Sequence, residues 1–360
     1  MKVFKIAVMP GDGIGNEVTP PALELVKESA RQHGIELNCV EVPAGAQHFL
    51  DTGDGFPEDH FEEAANADAI YLGAMGLPDI RHPDGTEVGP QHDLRKRLNL
   101  YAGIRPCRTM PKLPLPLADP RSKTLDFVIV RESTEGIFAE PRGHALDTQD
   151  AAHNLIRITR KTTTRMLDFS FRLAQRRQAR GLPGHVTCSD KANVLSSQAF
   201  MRNIFYEVAK RYPGIQADHQ YVDATALDLV RCPWRFDVVP TENQYGDILS
   251  DISAALMGGM GMTSSGEIGD NHGVFQPCHG SAPDIMGEGK ANPTGMILSG
   301  AIMLDYLGDK FHCPEAIQAA QALETAVIAA YDTGTLLPYE LGGNSGTAPI
   351  SELIGKMLSQ

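Results

Sequence analysis

Short apolar runs that alternate with helix-period segments constrain this chain more than any other feature of its sequence. Phe4-Lys5-Ile6-Ala7-Val8-Met9 reads as a buried strand, and 20–33 as a helix with Leu23, Val26 and Ala30 at helical spacing. Residues 37–42 read as a strand, 58–66 as a helix, and Ala69-Ile70-Tyr71-Leu72 as a further strand. Strands joined through helices make a sheet flanked by helices, so the expected fold class is α/β. Leu125-Asp126-Phe127-Val128-Ile129-Val130 adds a buried strand, and 137–160 loses the helical pattern and reads as a projecting arm of extended pieces. A glycine-rich region at 258–270 precedes helices at 294–307 and 314–333. At 360 residues the chain exceeds what one core usually supports. Two domains are expected, 1–104 with 258–360 and 105–257, connected by more than one crossing of the chain.

The formal charge is −13 with acidic residues spread throughout, which argues against nucleic acid or an anionic membrane as the main partner. The densest basic stretch, Arg157 to Arg180, carries Leu167, Phe169 and Leu173 and reads as a solvated helix face. Six cysteines lie far apart with no paired spacing, which suits a reducing cytoplasm better than a disulfide framework or a zinc site. No apolar run reaches ~18 residues, so neither a signal peptide nor a membrane span is visible and a cytoplasmic location is expected.

The first strand breaks into "VMPGDGIGNEV", with Gly11, Gly13 and Gly15 in five positions. Thr19 suits an N-cap with Pro20 at the first helical position. The dinucleotide fingerprint needs glycine at its first, third and sixth positions, and counting from Gly11 the sixth is Asn16. The fingerprint fails, and both a nucleotide contact and a purely structural turn stay open.

Candidate chemistry lies further on. In "GDILSD", Asp247 and Asp251 are four apart and share a helix face. Alone they read as a solvated face; with a third carboxylate, Asp223 in "HQYVDA", they would make an oxygen shell for Mg²⁺ or Mn²⁺. Arg95, Arg105 and Arg131 each stand beside the end of an apolar or turn segment, and three convergent arginines would bind a di-acid. Lys191 in "SDKANVL" follows a strand ending; near a metal and arginines a lysine suits proton transfer.

Taken together and in this order, "PGDGIGNEV", "LRKRLNLYAGIRP", "VIVRESTEGIF", "SDKANVL", "HQYVDA", "GDILSDI" and "HGSAPDIMGEGKANPTGMILS" resemble the β-decarboxylating dehydrogenases of isocitrate, isopropylmalate, homoisocitrate, tartrate and D-malate, over almost the whole chain. The resemblance implies an isopropylmalate dehydrogenase-like open α/β sandwich of two domains that is not a dinucleotide-fingerprint Rossmann fold. It implies that the glycine turn, including Ile14, lies near the nicotinamide and that Asn193 also binds the cofactor. The adenosine end would be held by His279, Gly280, Ser281, Ala282, Pro283, Asp284 and Ile285 with Ala291, Asn292 and Glu340. Asp284 would accept from both ribose hydroxyls and repel a 2′-phosphate, so the expected cofactor is NAD. Arg95, Arg105 and Arg131 would grip the malate carboxylates, Asp223, Asp247 and Asp251 would hold Mg²⁺ or Mn²⁺, and Lys191 would assist removal of the hydroxyl proton. In the family Lys191 and Asp223 come from the neighbouring subunit, which implies a homodimer with shared active sites and a small di-acid substrate.

Three departures from the family pattern, over four positions, stand out. Phe138 stands where a catalytic tyrosine is usual, and Gln276 replaces a glutamate. Ahead of Arg95, Gln91 and His92 occupy the place of two leucines that face the isopropyl group in isopropylmalate enzymes. That pocket is polar and suits a hydroxyl, a hydrogen or another polar group, so the expected substrate is D-malate or tartrate-like. Isopropylmalate is the alternative, and a non-catalytic homologue, supported by Phe138, is a third reading.

Overall fold

Strands and helices alternate from the start, as the apolar pattern predicts: β1 (Lys2–Gly11), α1 (Gly15–Gln32), β2 (Ile35–Glu41), α2 (Ala46–Thr52), α3 (Glu58–Ala65), β3 (Ala69–Ala74) and α4 (Pro90–Arg97). There follow β4 (Ala102–Arg108), β5 (Asp126–Glu132), α5 (Arg160–Ala179), β6 (His185–Asp190), α6 (Ser196–Ala209), β7 (Gln216–Tyr221), α7 (Val222–Arg231), β8 (Val238–Thr241) and α8 (Asn243–Met257). The chain closes with β9 (Ser264–Ile268), β10 (Gly273–Pro277), α9 (Thr294–Lys310), α10 (Pro314–Asp332) and α11 (Thr347–Leu358). This computed structural model describes residues 2–139 and 147–360; the middle of the expected arm, 140–146, lies outside them. The fold class is α/β.

Unit 1 comprises Met1–Leu98, Met110–Pro116 and Met257–Gln360, and unit 2 comprises Asn99–Thr109 and Leu117–Leu256. The division falls after Leu98 because β4 pairs antiparallel with β5 along its length, Ala102 opposite Glu132 and Arg108 opposite Asp126.

In unit 1 the strand order is β2-β1-β3-β10-β9. β1 runs parallel between β2 and β3, so Ile6, Ala7, Val8 and Met9 are all buried instead of alternating. α1 starts at Gly15, not after Thr19: the amides of Glu17 and Val18 both donate to the Ile14 carbonyl, and Thr19 is buried inside the helix. Pro20 and Pro21 sit in its second turn, where only the carbonyls of Asn16 and Glu17 lose an amide donor. The glycine-rich stretch contains β9, whose five residues are all buried.

In unit 2 the order is β4-β5-β8-β6-β7, and β5, β8, β6 and β7 run parallel. A buried clamp joins the amino-terminal ends of β5, β8 and β6. Arg177, at the end of α5, donates to the Asp237 carboxylate at 2.5 Å and to the Asp126 carboxylate at 2.9 Å, and the Asp237 carboxylate also accepts from the His185 amide at 3.0 Å. Among the described residues no helix is long and apolar enough to cross a membrane.

Candidate active site

The carboxyl ends of the parallel strands in unit 2, with the turns and helices that follow them, carry Arg131, Lys191, Asp223, Asp247 and Asp251, the end where ligands bind in open α/β sheets in general. Arg131, the next-to-last residue of β5, lies opposite Thr241 of β8, and α8 begins two residues after that strand. Asp247 and Asp251 lie one turn apart on α8. The Arg131 guanidinium donates to Asn243 Oδ1 at 2.9 Å and to the Asp247 carboxylate. Gly246 makes this approach possible, since a Cβ there would stand 2.7 Å from the Arg131 side chain. Surrounding protein and the like charge of Asp247 raise the Asp251 carboxyl above the usual range, against the pull of Arg131 and Arg105. Arg105 is buried on β4, where the pairing of Gly103 with Arg131 puts both arginine side chains on one face of the sheet.

Lys191 and Asp223 meet through register. Asp190 of β6 pairs with Tyr221 of β7, so the residues that follow the two strands emerge side by side. Lys191 Nζ donates to Asp223 Oδ1 at 2.5 Å, and this bond lowers the Asp223 carboxyl below its usual value. Asp223 is two-thirds exposed and is not brought to Asp247 and Asp251 within the chain. Among the described residues no three metal-ligating side chains converge. Asn193 is exposed in the turn after Lys191.

In unit 1 the glycine turn is stitched to the 279–285 loop. The Ile14 amide donates to the Ser281 carbonyl at 2.8 Å, and Gly13, at φ +55°, leaves a gap in which a Cβ would lie 2.0 Å from that carbonyl oxygen. Ala282 takes a left-handed φ of +38°, uncommon for a residue with a Cβ. Gly280 and Asp284 are exposed, while His279 keeps a buried Nε2 with no partner, and burial holds its imidazole below the usual range. Asn292 is buried and donates to Glu340 at 2.8 Å; the other Glu340 oxygen accepts from the Gly261 amide at 3.0 Å. Ile14 and Ala291 are buried, and Ile285 is half-buried. Arg95, on α4, pairs with Glu267 of β9 at 2.9 Å. Gln91 lies one turn earlier, half-buried, and His92 is exposed.

Four carboxylates escaped the sequence reading. Asp12, 1 % exposed, accepts from the amides of Ala46, Gln47 and Gly76 at 2.7–2.9 Å. Glu267 partners Arg95. Glu132 and Glu242 are buried beside a small cavity at the end of β5; burial pushes the Glu132 carboxyl to about 7 and raises that of Glu242. A lone acidic residue next to a glycine or an arginine has no period or spacing that would reveal it. Phe138 is exposed with its ring centroid 5.6 Å from the Arg131 guanidinium carbon.

Residues 5–355 match the family model described as isocitrate/isopropylmalate dehydrogenase. The chain is 38 % identical to the 3-isopropylmalate/3-methylmalate dehydrogenase of Methanocaldococcus jannaschii, over 99 % of this chain and 100 % of that one. It is 35 % identical to the probable tartrate dehydrogenase/decarboxylase of Bacillus subtilis, over 98 % of each. The crystal structure of isocitrate dehydrogenase from Methylococcus capsulatus superposes with a TM-score of 0.86 at 32 % identity, covering 99 % of this chain and 100 % of that one. A match of this extent, in sequence and in fold, places the chain in the isocitrate/isopropylmalate dehydrogenase family of β-decarboxylating dehydrogenases.

Proposed function

We propose that the chain catalyses the NAD-dependent, divalent-metal-dependent oxidative decarboxylation of a (2R)-malate-type 2-hydroxy di-acid of the D-malate or tartrate kind. The observation that carries this reading is the grouping of Arg131, Asp247 and Asp251 at the carboxyl ends of β5 and β8. Two carboxylates one turn apart repel each other, which adds to the burial that raises the Asp251 carboxyl, and a cation between them relieves that repulsion. Asp247 and Asp251 would hold Mg²⁺ or Mn²⁺, with Asp223 as the third ligand. Bound there, the metal supplies Lewis-acid polarisation of the C2 oxygen, and NAD⁺ supplies the hydride acceptor.

The chain's own residues do the rest. Arg105 and Arg131 bind the di-acid carboxylates, and Lys191 is the group that moves the C2 hydroxyl proton, oriented by Asp223. Phe138 donates no proton, so protonation after loss of CO₂ falls to water or Lys191 and turnover is slow. On the cofactor side, the unpartnered His279 Nε2 and exposed Asp284 offer polar groups to a dinucleotide, and Asp284 disfavours a 2′-phosphate. A homodimer with shared active sites follows from the same reading. Leu227 and Val230 on α7 and Ile248 on α8 are each more than half exposed, on the helices that carry Asp223 and the Asp247–Asp251 pair. Such apolar surface suits a second copy of the chain.

A panel of 3-substituted malates assayed with NAD⁺ and Mn²⁺, reading NADH and CO₂ together, tests the reading. Coupled NADH and CO₂ with D-malate or tartrate is expected. Efficient turnover of 3-isopropylmalate alone would favour the second reading, which rests on the similarity to the M. jannaschii enzyme. No NADH with any of them would favour a non-catalytic role.

A further inference from the structure

A second group of carboxylates adjoins Arg131 within unit 2, and its position follows from register. Arg131 of β5 lies opposite Thr241 of β8, so the next residues, Glu132 and Glu242, come side by side, with Glu132 on the opposite face of the sheet from Arg131. Both are buried, at 5 % and 2 % exposed, and both line a cavity of about 10 Å³, the size of one water. Glu242 Oε1 is buried with no donor, and a Cβ on Gly136, whose φ is +78°, would stand 2.2 Å from it. Glu132 Oε1 accepts from the Thr134 amide and hydroxyl, each at 2.6 Å, and Oε2 accepts from the Glu135 amide at 2.7 Å. Glu135 also lines the cavity, but the Thr159 amide and hydroxyl and the Thr162 hydroxyl satisfy it as a carboxylate at 2.6–2.9 Å. The rest of the lining, Gly136, Ile158, Thr163, Met166 and Met201, carries no charge. Two carboxylates in such a space resist being ionised together. Burial pushes the Glu132 carboxyl to about 7 and raises that of Glu242 against the pull of nearby amides and of Arg131. A proton on Glu132 needs an acceptor, and Glu242 Oε1 is the oxygen that lacks a donor. Both glutamates are tied to Arg131. Glu132 follows it in β5, and Glu242 precedes Asn243, whose Oδ1 accepts from Arg131 Nε at 2.9 Å and whose side-chain amide donates to the Glu135 carbonyl at 2.8 Å.

We propose that Glu132 and Glu242 share one proton across this cavity and act as positioning residues for Arg131, so that the chain grips a di-acid carboxylate more tightly with the proton in place than without it. With the proton bound the pair carries one negative charge, and without it two. The added charge competes with a ligand carboxylate for the attraction of Arg131, and it pushes apart the two residues that flank the Arg131–Asn243 bond. The titration belongs to the pair and not to either residue alone. This inference rests on the proposed dehydrogenase reading, in which Arg131 binds a di-acid, and deepens it by adding a control on affinity.

Two independent readouts test it. Infrared difference spectroscopy of the ligand-free protein follows the carbonyl stretch of a buried protonated carboxyl from about pH 5 to about pH 9, a range that spans neutral pH and lies above ordinary carboxyl titration. Calorimetry with Mn²⁺ present follows the Kd of D-malate and of tartrate at about pH 6 and about pH 8.5, where the ligand carboxylates are ionised. Wild type is expected to show the band, lost with a midpoint near neutral pH, and a Kd that rises about tenfold between the two conditions. Glu132→Gln should abolish the band. Glu242→Gln, an isosteric change that offers Glu132 an amide donor, should move its midpoint down by about one pH unit or more. Each should flatten the pH dependence of Kd to about twofold or less, and Glu242→Asp should restore part of it. Absence of the band in wild type, a midpoint that Glu242→Gln leaves in place, or weakening of binding by the same factor at both pH values would overturn the proposal. The band and its shifts as expected, with no binding of either di-acid at any pH, would refute the dehydrogenase reading while upholding the shared proton.

Discussion

Replacing Asp12 by asparagine removes a charge that three loops share. One carboxylate oxygen accepts from the Ala46 amide at 2.8 Å and from the Gly76 amide at 2.7 Å, and the other from the Gln47 amide at 2.9 Å. Ala46 and Gln47 open α2, whose own cap residue, Gly45, has no side chain to offer, so Asp12 caps that helix from a distance and sets a negative charge at its positive end. Asparagine keeps one acceptor oxygen and turns an NH₂ group towards the third amide. Two bonds lose their charge assistance and one buried donor is left unpaired. At roughly 1–3 kcal/mol for the orphaned donor and a fraction of that for each weakened bond, offset in part by no longer burying a charge, the loss is about 2–3 kcal/mol. For a chain of 360 residues that lowers Tm by roughly 3–4 °C, at about 1.3 °C per kcal/mol. Because Asp12 adjoins the turn that is bonded to Ser281, the KM for NAD⁺ should rise as well. Thermal unfolding followed by circular dichroism, with hydrogen exchange read at 45–48 and 74–77, is the assay. A Tm within about a degree of wild type and unchanged protection of those amides would refute the assignment of Asp12 as the tie between the loops.

Asp247→Asn should raise the Mn²⁺ concentration needed for half-maximal NADH formation by about tenfold or more, and activity that persists in chelator would count against the metal assignment. Asp284→Ser should cut the preference for NAD⁺ over NADP⁺, read as the ratio of kcat/KM values, since the carboxylate that faces the extra phosphate is gone. Phe138→Tyr should speed steady-state turnover if protonation limits it, up to the ~10²-fold lower range of general-acid catalysis, with keto-acid trapping as the check. Glu132 has its carboxyl raised from 4.5 to about 7, so the folded chain keeps a proton there that the unfolded chain releases. The stability this protonated form confers is complete below pH 4.5 and lost as pH rises towards 7, at most about 3 kcal/mol, and Glu132→Gln should flatten that slope in urea titrations at pH 5 and pH 8.

Long apolar runs made the parallel strands legible: β1, β3 and β5 are buried on both faces and read as continuous hydrophobic stretches. β9 did not read at all, because Ser264-Ser265-Gly266-Glu267-Ile268 is fully buried yet small and polar, and it packs by pairing with β10. The start of α1 was misplaced for a related reason. Proline is favoured in the first turn of a helix, whereas here the turn that precedes Pro20 and Pro21 is already helical. Spacing alone made legible that Asp247 and Asp251 share a helix face, whereas a metal role for them, like the roles of Lys191 and Asp223, was legible only through the blocks that contain them. Glu267 and Asp12 were not, since each acts through one partner far away in sequence. What the spacing of Arg95 did not reveal was its occupant: a single buried carboxylate 172 positions later in the chain.

The clamp at the amino-terminal ends of β5, β6 and β8 has a consequence for how such a protein changes over time. Arg177, Asp126 and Asp237 fix those strand ends through buried, charge-assisted bonds, while Arg131, Lys191 and α8 leave from the opposite ends of the same strands. The clamp and the proposed chemistry therefore occupy opposite ends of these strands. Exchanging a side chain at the carboxyl ends leaves every bond of the clamp in place, so new substrates can be tried by single substitutions without first unravelling the sheet that presents them.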